Sequence, residues 1–299
     1  MLYTHVAILR RHGVEAWIVH HRSPFRLEWL ASEAPISYLD RPAATPGGDD
    51  VLVVPDVLAA SDAAREFPGE RIVFVQGAFT ILAGLDGAPD YSALGYERAM
   101  AVLPNVREVV ERHFGIQATV VPPCITREFF VEPERLDAGS RARQILLTTA
   151  KVASPDRDVL TTLVARRVRA CPGWSMLDLR GYSHREVAHL MQTSAFLVNT
   201  NVGEAFNTTV PEAMAAGCVV LCYEAYGGRD FLRDGENANV FPNHYVFPLV
   251  DRLFALMDRF ECGGSELAVM RHRGYESALE FTAERTERAL LRFFQVSAR

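Results

Sequence analysis

GEAFNTTVPEAMAAG, residues 203–217, sets a loop, a short helix and a helix stop side by side. Pro211 suits the first helical position, where no N–H is needed, and Ala213, Met214, Ala215 and Ala216 are good helix formers. Gly217 supplies a left-handed stop. An apolar run ending in Asn199-Thr200-Asn201 precedes the unit, and Val219-Val220-Leu221-Cys222 follows it. Strand, loop, helix and strand make one βαβ unit with its polar groups at the carboxyl end of a parallel sheet. Open α/β sheets bind ligands at that end.

Two acids mark the unit, Glu204 on the loop and Glu212 near the helix start. Backbone N–H groups over residues 205–209 favour an anion such as a diphosphate. Glu212 can accept hydrogen bonds from two neighbouring hydroxyls, as a ribose offers, and Glu204 can reach a second hydroxylated ring. Together they suggest a nucleoside diphosphate carrying a sugar. A capping carboxylate explains Glu212 nearly as well, and an exposed loop acid explains Glu204.

The segment resembles the E-x7-E signature of the retaining, nucleotide-sugar-dependent glycosyltransferases of family 4, whose usual form is close to EGFGLPxLEAMAxGxPVV. Both glutamates, Phe206, the Glu212-Ala213-Met214-Ala215 core and Gly217 are kept. Ala205, Asn207, Thr208 and Thr209 stand where the family usually has Gly, Gly, a large apolar residue and Pro. Glycine there permits φ > 0 beside a phosphate, and Asn tolerates that region better than most residues. Residues 226–237, YGGRDFLRDGEN, resemble the family segment that closes the donor site. The resemblance implies the GT-B architecture, an α/β chain of two doubly wound, Rossmann-like domains facing a cleft. It implies transfer with retention of configuration, Glu212 on the ribose, Glu204 orienting the donor sugar, the amides of Phe206, Asn207 and Thr208 on the diphosphate, and no metal or other cofactor. The loop Gly181-Tyr182 corresponds to the place where family members hold the nucleobase.

Composition adds one signal. The chain has 30 Arg and a single Lys, Lys151, just after the apolar run 144–149, with Arg157 six positions on. The family usually delivers an Arg and then a Lys about five positions later to the donor diphosphate. Lys151 and Arg157 resemble that pair with types exchanged, which keeps the charge but alters hydrogen-bond geometry. Two solvated loop cations are the alternative.

At 299 residues with 49% hydrophobic content, the chain has enough for two cores, and its net charge of −6 argues against nucleic acid as a partner. No apolar run reaches the ~18 residues of a membrane span, and no signal-peptide pattern opens the chain. Five cysteines without CxxC pairs read as reduced thiols. The expectation is a cytoplasmic protein, with peripheral contact at the inner face of the membrane if its glycan or glycoconjugate acceptor is lipid-linked.

Alternating apolar patterns divide the chain at 1–135, an acceptor-side domain, 136–280, a nucleotide-sugar domain, and 281–299, a terminal helix returning to the first. Residues 2–12 read as a helix, 15–19, 51–54 and 71–75 as strands, 96–103 and 106–114 as helices, and 118–121 as a strand. The second domain reads as strands 144–149, 175–180, 196–199 and 219–222, with helices near 266–278 and 283–294. Family members begin with a strand and a Gly-rich turn, whereas this sequence opens in the helix that follows them.

On the acceptor side, Gln76 ends the third strand, where it can hydrogen-bond a hydroxyl but cannot act as a base. Asp156-Arg157-Asp158 is a literal DxD, but its place at a helix start argues for capping. The helix carrying His184 and His189 reads as a surface helix. Two alternatives stand beside the enzyme: a non-catalytic glycosyltransferase-like partner that binds nucleotide or another subunit, and a sugar-nucleotide epimerase. The second requires acid/base groups the sequence does not place.

Overall fold

The computed structural model describes residues 1–27, 32–137, 141–149, 154–202 and 206–297. Three candidate site residues, Lys151, Glu204 and Ala205, lie outside the described residues. The chain divides into two compact units, one of Met1–Cys124 with Ala283–Arg299 and one of Ile125–Thr282.

The first unit runs α1 (Leu2–Arg11), β1 (Ile18–His20), β2 (Ile36–Tyr38), β3 (Val51–Pro55), α2 (Asp62–Arg65), β4 (Glu70–Val75), α3 (Ile81–Leu85), β5 (Arg98–Ala101), α4 (Pro104–His113) and β6 (Gln117–Val120). Its main sheet is parallel in the order β3-β4-β5-β6, while β1 and β2 pair separately. In β4, Ile72, Val73, Phe74 and Val75 are all fully buried, as expected of a parallel strand covered on both faces. Gly13, at φ +81°, ends α1, whose Val6 packs with Ile18 and Ala34.

Three expectations need correction here. Residues 98–101 form a strand, although their Ala and Met content suits a helix. Ala99, Met100 and Ala101 fill a slot between β4 and β6 with zero exposure, and burial there outweighs a propensity difference of a few tenths of a kcal/mol per residue. The first strand begins at Ile18 instead of residue 15, and β2 is a strand that three residues are too few to announce in the sequence.

The second unit contains α5 (Glu134–Asp137), β7 (Ala142–Thr148), α6 (Ser154–Ala170), β8 (Ser175–Asp178), α7 (His184–Thr193), β9 (Ser194–Asn199), α8 (Thr209–Ala215), β10 (Val219–Tyr223), β11 (Asn239–Phe241), α9 (Val246–Glu261) and α10 (Ser265–Ala278). The chain's last helix, α11 (Ala283–Phe293), belongs to the first unit, where Glu287 meets Arg11 and His12 of the α1 terminus. The five strands of the second unit are parallel in the order β11-β10-β9-β7-β8. From β7 the chain steps to one side, into β8, then crosses to the other, into β9. The switch point therefore lies between β7 and β9, and the crevice outside their carboxyl ends is where such sheets take ligands. Trp174 stacks on Phe196 beneath this sheet, with ring centroids 5.7 Å apart.

Helix α8 starts at Thr209, two residues earlier than Pro211 suggested. Pro211 still fits, because the first four N–H groups of a helix have no intrahelical acceptor. Gly217 does terminate the helix at φ +75°, with Cys218 N bonded to Ala213 O at 2.9 Å and Gly217 N to Met214 O at 3.0 Å. A Cβ at Gly217 would lie 2.3 Å from Arg141 Nη2.

Candidate functional site

The carboxyl end of β9 carries Asn199, Thr200 and Asn201, all buried. Asn199 Oδ1 accepts from Asn201 N at 3.1 Å and from Asn207 Nδ2 at 2.7 Å, which ties the start of the glutamate-rich segment to the strand end. Asn207 does not adopt a positive φ, so the freedom of a glycine is not what this position needs. Its side chain turns inward as a structural strut. Phe206 also turns inward, its ring 4.9 Å from that of Phe281 and 6.0 Å from that of Phe231.

Helix α8 buries Val210, Pro211, Ala213, Met214 and Ala215, while Thr208, Thr209 and Glu212 are partly exposed. Glu212 is thus the acidic group of an otherwise apolar helix, and its N–H bonds Thr208 O at 3.0 Å. Gly274 of α10 lets the two helices approach, since a Cβ there would meet Met214 Cγ at 3.4 Å. With only seven residues, α8 has a short dipole, so anion attraction here falls on the loop amides more than on a long helix.

Across the switch point, Thr149 follows β7 and donates from Oγ1 to Asp178 Oδ2 at the end of β8. Arg180 Nε bonds the same oxygen at 3.0 Å. Beyond it come Gly181, at φ +83°, and the exposed Tyr182, and Ser183 then caps α7 in a reciprocal box with Glu186. Between the two sides lies Thr200, whose Oγ1 is buried and has no hydrogen-bond partner among the described residues. Leaving such a hydroxyl unpaired costs about 1–3 kcal/mol, and a bound polar molecule would relieve it.

Arg157, in the first turn of α6, is half-buried and lies 3.4 Å from Asp158 Oδ1. Asp156 is not at the cap position; it sits inside the helix and is held sideways. Its Oδ2 accepts from Tyr223 OH at 3.0 Å and lies 2.9 Å from His244 Nδ1. Burial first, and then the neighbouring Asp156, push the Tyr223 hydroxyl above its ordinary pKa. No run of sequence links these residues, and only the sheet brings them together. Among the described residues, no three His, Cys, Asp or Glu side chains are grouped to hold a metal ion.

In the first unit, Gln76 follows β4, and its N–H donates to Asp56 Oδ1 at 3.2 Å. Thr80 donates from Oγ1 to Asp56 Oδ2. Burial raises the Asp56 pKa, and the hydrogen bonds from Thr80 and the backbone oppose that rise. Asp56 thus fixes the backbone of the 76–80 loop. An acid directly after the apolar run VLVVP is the sequence signal for it. Among the described residues of the second unit, Arg157, Gly181, Tyr182, the 206–209 loop and Glu212 all follow strands at the carboxyl edge of its sheet. No helix among the described residues is long and apolar enough to cross a membrane.

Residues 156–259 match the family model for glycosyl transferases group 1. No protein of curated function matches the sequence. Among solved structures, the chain is similar to a glycosyltransferase from Rickettsia africae ESF-5, with a TM-score of 0.62 and 11% identity over 82% of this chain and 76% of that one. It is similar to sucrose-phosphate synthase from Thermosynechococcus elongatus, with a TM-score of 0.59 and 12% identity over 83% and 73% of the two chains. A third likeness is to a mutant form of TarM from S. aureus, whose structure holds Fondaparinux, alpha-GlcNAc-glycerol and UDP. There the TM-score is 0.58 and the identity 12%, over 76% of this chain and 51% of TarM, so this chain spans about half of TarM's length.

Proposed function

We propose that this chain, whose residues 156–259 form a glycosyltransferase group 1 domain on a GT-B fold, transfers a sugar from a nucleoside diphosphate donor to a glycan or glycoconjugate acceptor with retention of configuration. What supports it most is the switch point of the second unit. A buried Thr200 hydroxyl without a partner among the described residues, a strutted loop at 206–209, a partly exposed Glu212 and the Gly181–Tyr182 loop share one sheet edge with the family match.

In this mechanism Glu212 accepts the two ribose hydroxyls, and Gly181 and Tyr182 flank the base. Lys151 and Arg157 with the amides of residues 206–208 hold the diphosphate, and Glu204 orients the donor sugar. Negative charge on the diphosphate rises as the glycosidic bond breaks, so cations and amides aimed at it stabilise the transition state more than the ground state. No side chain is assigned as a covalent nucleophile. The acceptor hydroxyl attacks on the face the diphosphate leaves, passing its proton to a departing phosphate oxygen. Gln76 binds a hydroxyl, and no metal or other cofactor takes part.

A non-catalytic, nucleotide-binding partner is the second reading. Among the described residues the β1–β2 pair stands apart from the four-stranded sheet, which favours it. Calorimetric titration with UDP, GDP, dTDP and ADP, followed by a sugar-donor screen, separates the two. Micromolar binding of one nucleotide, weakened at least tenfold in Glu212→Ala and in Lys151→Ala, is expected, together with donor turnover. Binding without turnover of any donor would select the second reading, and a folded protein that binds none of the four would end both.

A further inference from the structure

Asp156, Tyr223 and His244 form a cluster that none of the assigned roles uses. They lie far apart in sequence, on the first turn of α6, the last residue of β10 and the loop between β11 and α9. All three positions are at the carboxyl edge of the second unit's sheet, and α6 enters its first turn shortly after β7, one of the two strands at the switch point.

The carboxylate is nearly buried, with 11% of its side chain exposed, whereas the His244 side chain is 59% exposed. One imidazole edge, Nδ1, faces Asp156 Oδ2 at 2.9 Å, and the exposure of the ring leaves the opposite edge, Nε2, toward solvent. The same carboxylate oxygen takes the Tyr223 hydroxyl at 3.0 Å, which holds it in place. Independently, the His244 backbone lies at φ +68°, in the left-handed region that residues other than glycine seldom enter. Strained backbone of this kind gathers at ligand sites, where neighbouring contacts hold a side chain in one direction. A carboxylate on Nδ1 fixes which ring nitrogen carries the proton and which faces the ligand.

We propose that His244 is a donor-contacting residue whose Nε2 hydrogen-bonds a diphosphate oxygen of the nucleotide, with Asp156 and Tyr223 as its positioning residues. This rests on the donor-site reading above. Nδ1–H donates to Asp156, and for Nε2 to donate to a phosphate oxygen the ring takes up one proton from solvent together with the nucleotide. The diphosphate is the donor's anionic part, so the contact discriminates a nucleoside diphosphate from its nucleoside.

The test is calorimetry on wild-type, His244→Ala and Asp156→Asn proteins, each with UDP, GDP, dTDP and ADP and with the matching nucleosides. It is paired with ¹⁵N NMR of the histidine ring nitrogens. For the nucleotide that binds, His244→Ala should weaken the diphosphate about tenfold and leave the nucleoside within twofold. Asp156→Asn should blur the single His244 tautomer into a mixture and weaken the diphosphate about threefold while leaving the nucleoside within twofold, a selective loss that a purely structural role would not produce. Adding the nucleotide to wild type should move the Nε2 resonance. Equal diphosphate affinity in wild type and His244→Ala, or an Nε2 resonance indifferent to nucleotide, would overturn the inference and leave the donor site standing. Failure of wild type to bind any of the four would overturn both.

Discussion

The Asn199–Asn207 bond can be isolated by a double-mutant cycle on the stability of the second unit. Asn207→Ala removes one neutral bond of 2.7 Å between two buried amides. Asn199 Oδ1 keeps its bond from Asn201 N at 3.1 Å, so the full penalty of an orphaned acceptor does not arise. The cost should be about 1 kcal/mol. Asn199→Ala takes the acceptor from two buried donors at once, and about 2–3 kcal/mol is expected. The double variant should then fall short of the sum by about 1 kcal/mol, the energy of the shared bond. Urea unfolding followed by Trp174 fluorescence reads this unit if the chain's other two tryptophans, Trp17 and Trp29, are replaced by Phe. With a slope of about 2 kcal/mol per molar urea, Asn207→Ala should move the midpoint by roughly 0.5 M. Additivity within about 0.3 kcal/mol would refute the strut, and with it the account of why Asn is suited to this position.

Gly217→Ala should destabilise the second unit by about 3 kcal/mol. Roughly 1–2 of that is the left-handed backbone, and the rest comes from pushing away the Arg141 guanidinium, which bonds the carbonyls of Met191, Ser194 and Ala216. A loss under about 1 kcal/mol in the same urea assay would contradict this. His5 of α1 is buried, neither ring nitrogen has a partner among the described residues, and burial lowers its pKa from 6.5 to about 3. Its folded pKa lies below the unfolded value, so the unfolded chain binds the proton first, and stability is full above pH 6.5 and is lost as pH falls from 6.5 toward 3. The loss should reach about 2 kcal/mol near pH 5 and should be absent in His5→Leu, which thermal unfolding across that range would check. Cys218 and Cys222 are buried, and their thiols are pushed up to about 11 and about 12, whereas Cys262 is exposed. A thiol reagent at neutral pH should therefore label Cys262 first, and equally fast labelling of Cys222 in the native protein would be inconsistent with the packed sheet.

The parallel α/β class, most strands of the four- and five-stranded sheets and the α8 unit were legible because each is written locally. Apolar runs such as ILLTT and VVLCY, short and rich in β-branched residues, read as covered strands, and Gly217 is a stop whose reason is its own φ. Where local preference and burial disagreed, burial prevailed, as at Ala99, Met100 and Ala101. The short edge strands β2 and β11 carry too few residues for a period to show.

Of the candidate site, sequence alone determined which segments reach the carboxyl edge: the loops after the strands and the first turns of the helices they enter, with Gly181 and Tyr182 on a loop and Arg157 and Glu212 in first turns. Tertiary structure decided the strand order, and hence that the switch point falls between β7 and β9. It also decided that Asn207 is a strut, that Asp56 anchors the loop of Gln76, and that Asp156 meets Tyr223 and His244. Helix and strand signals repeat within a few residues and can be read along the chain. A hydrogen bond between residues 67 or 88 positions apart depends on how whole strands are ordered and registered, which no local pattern records.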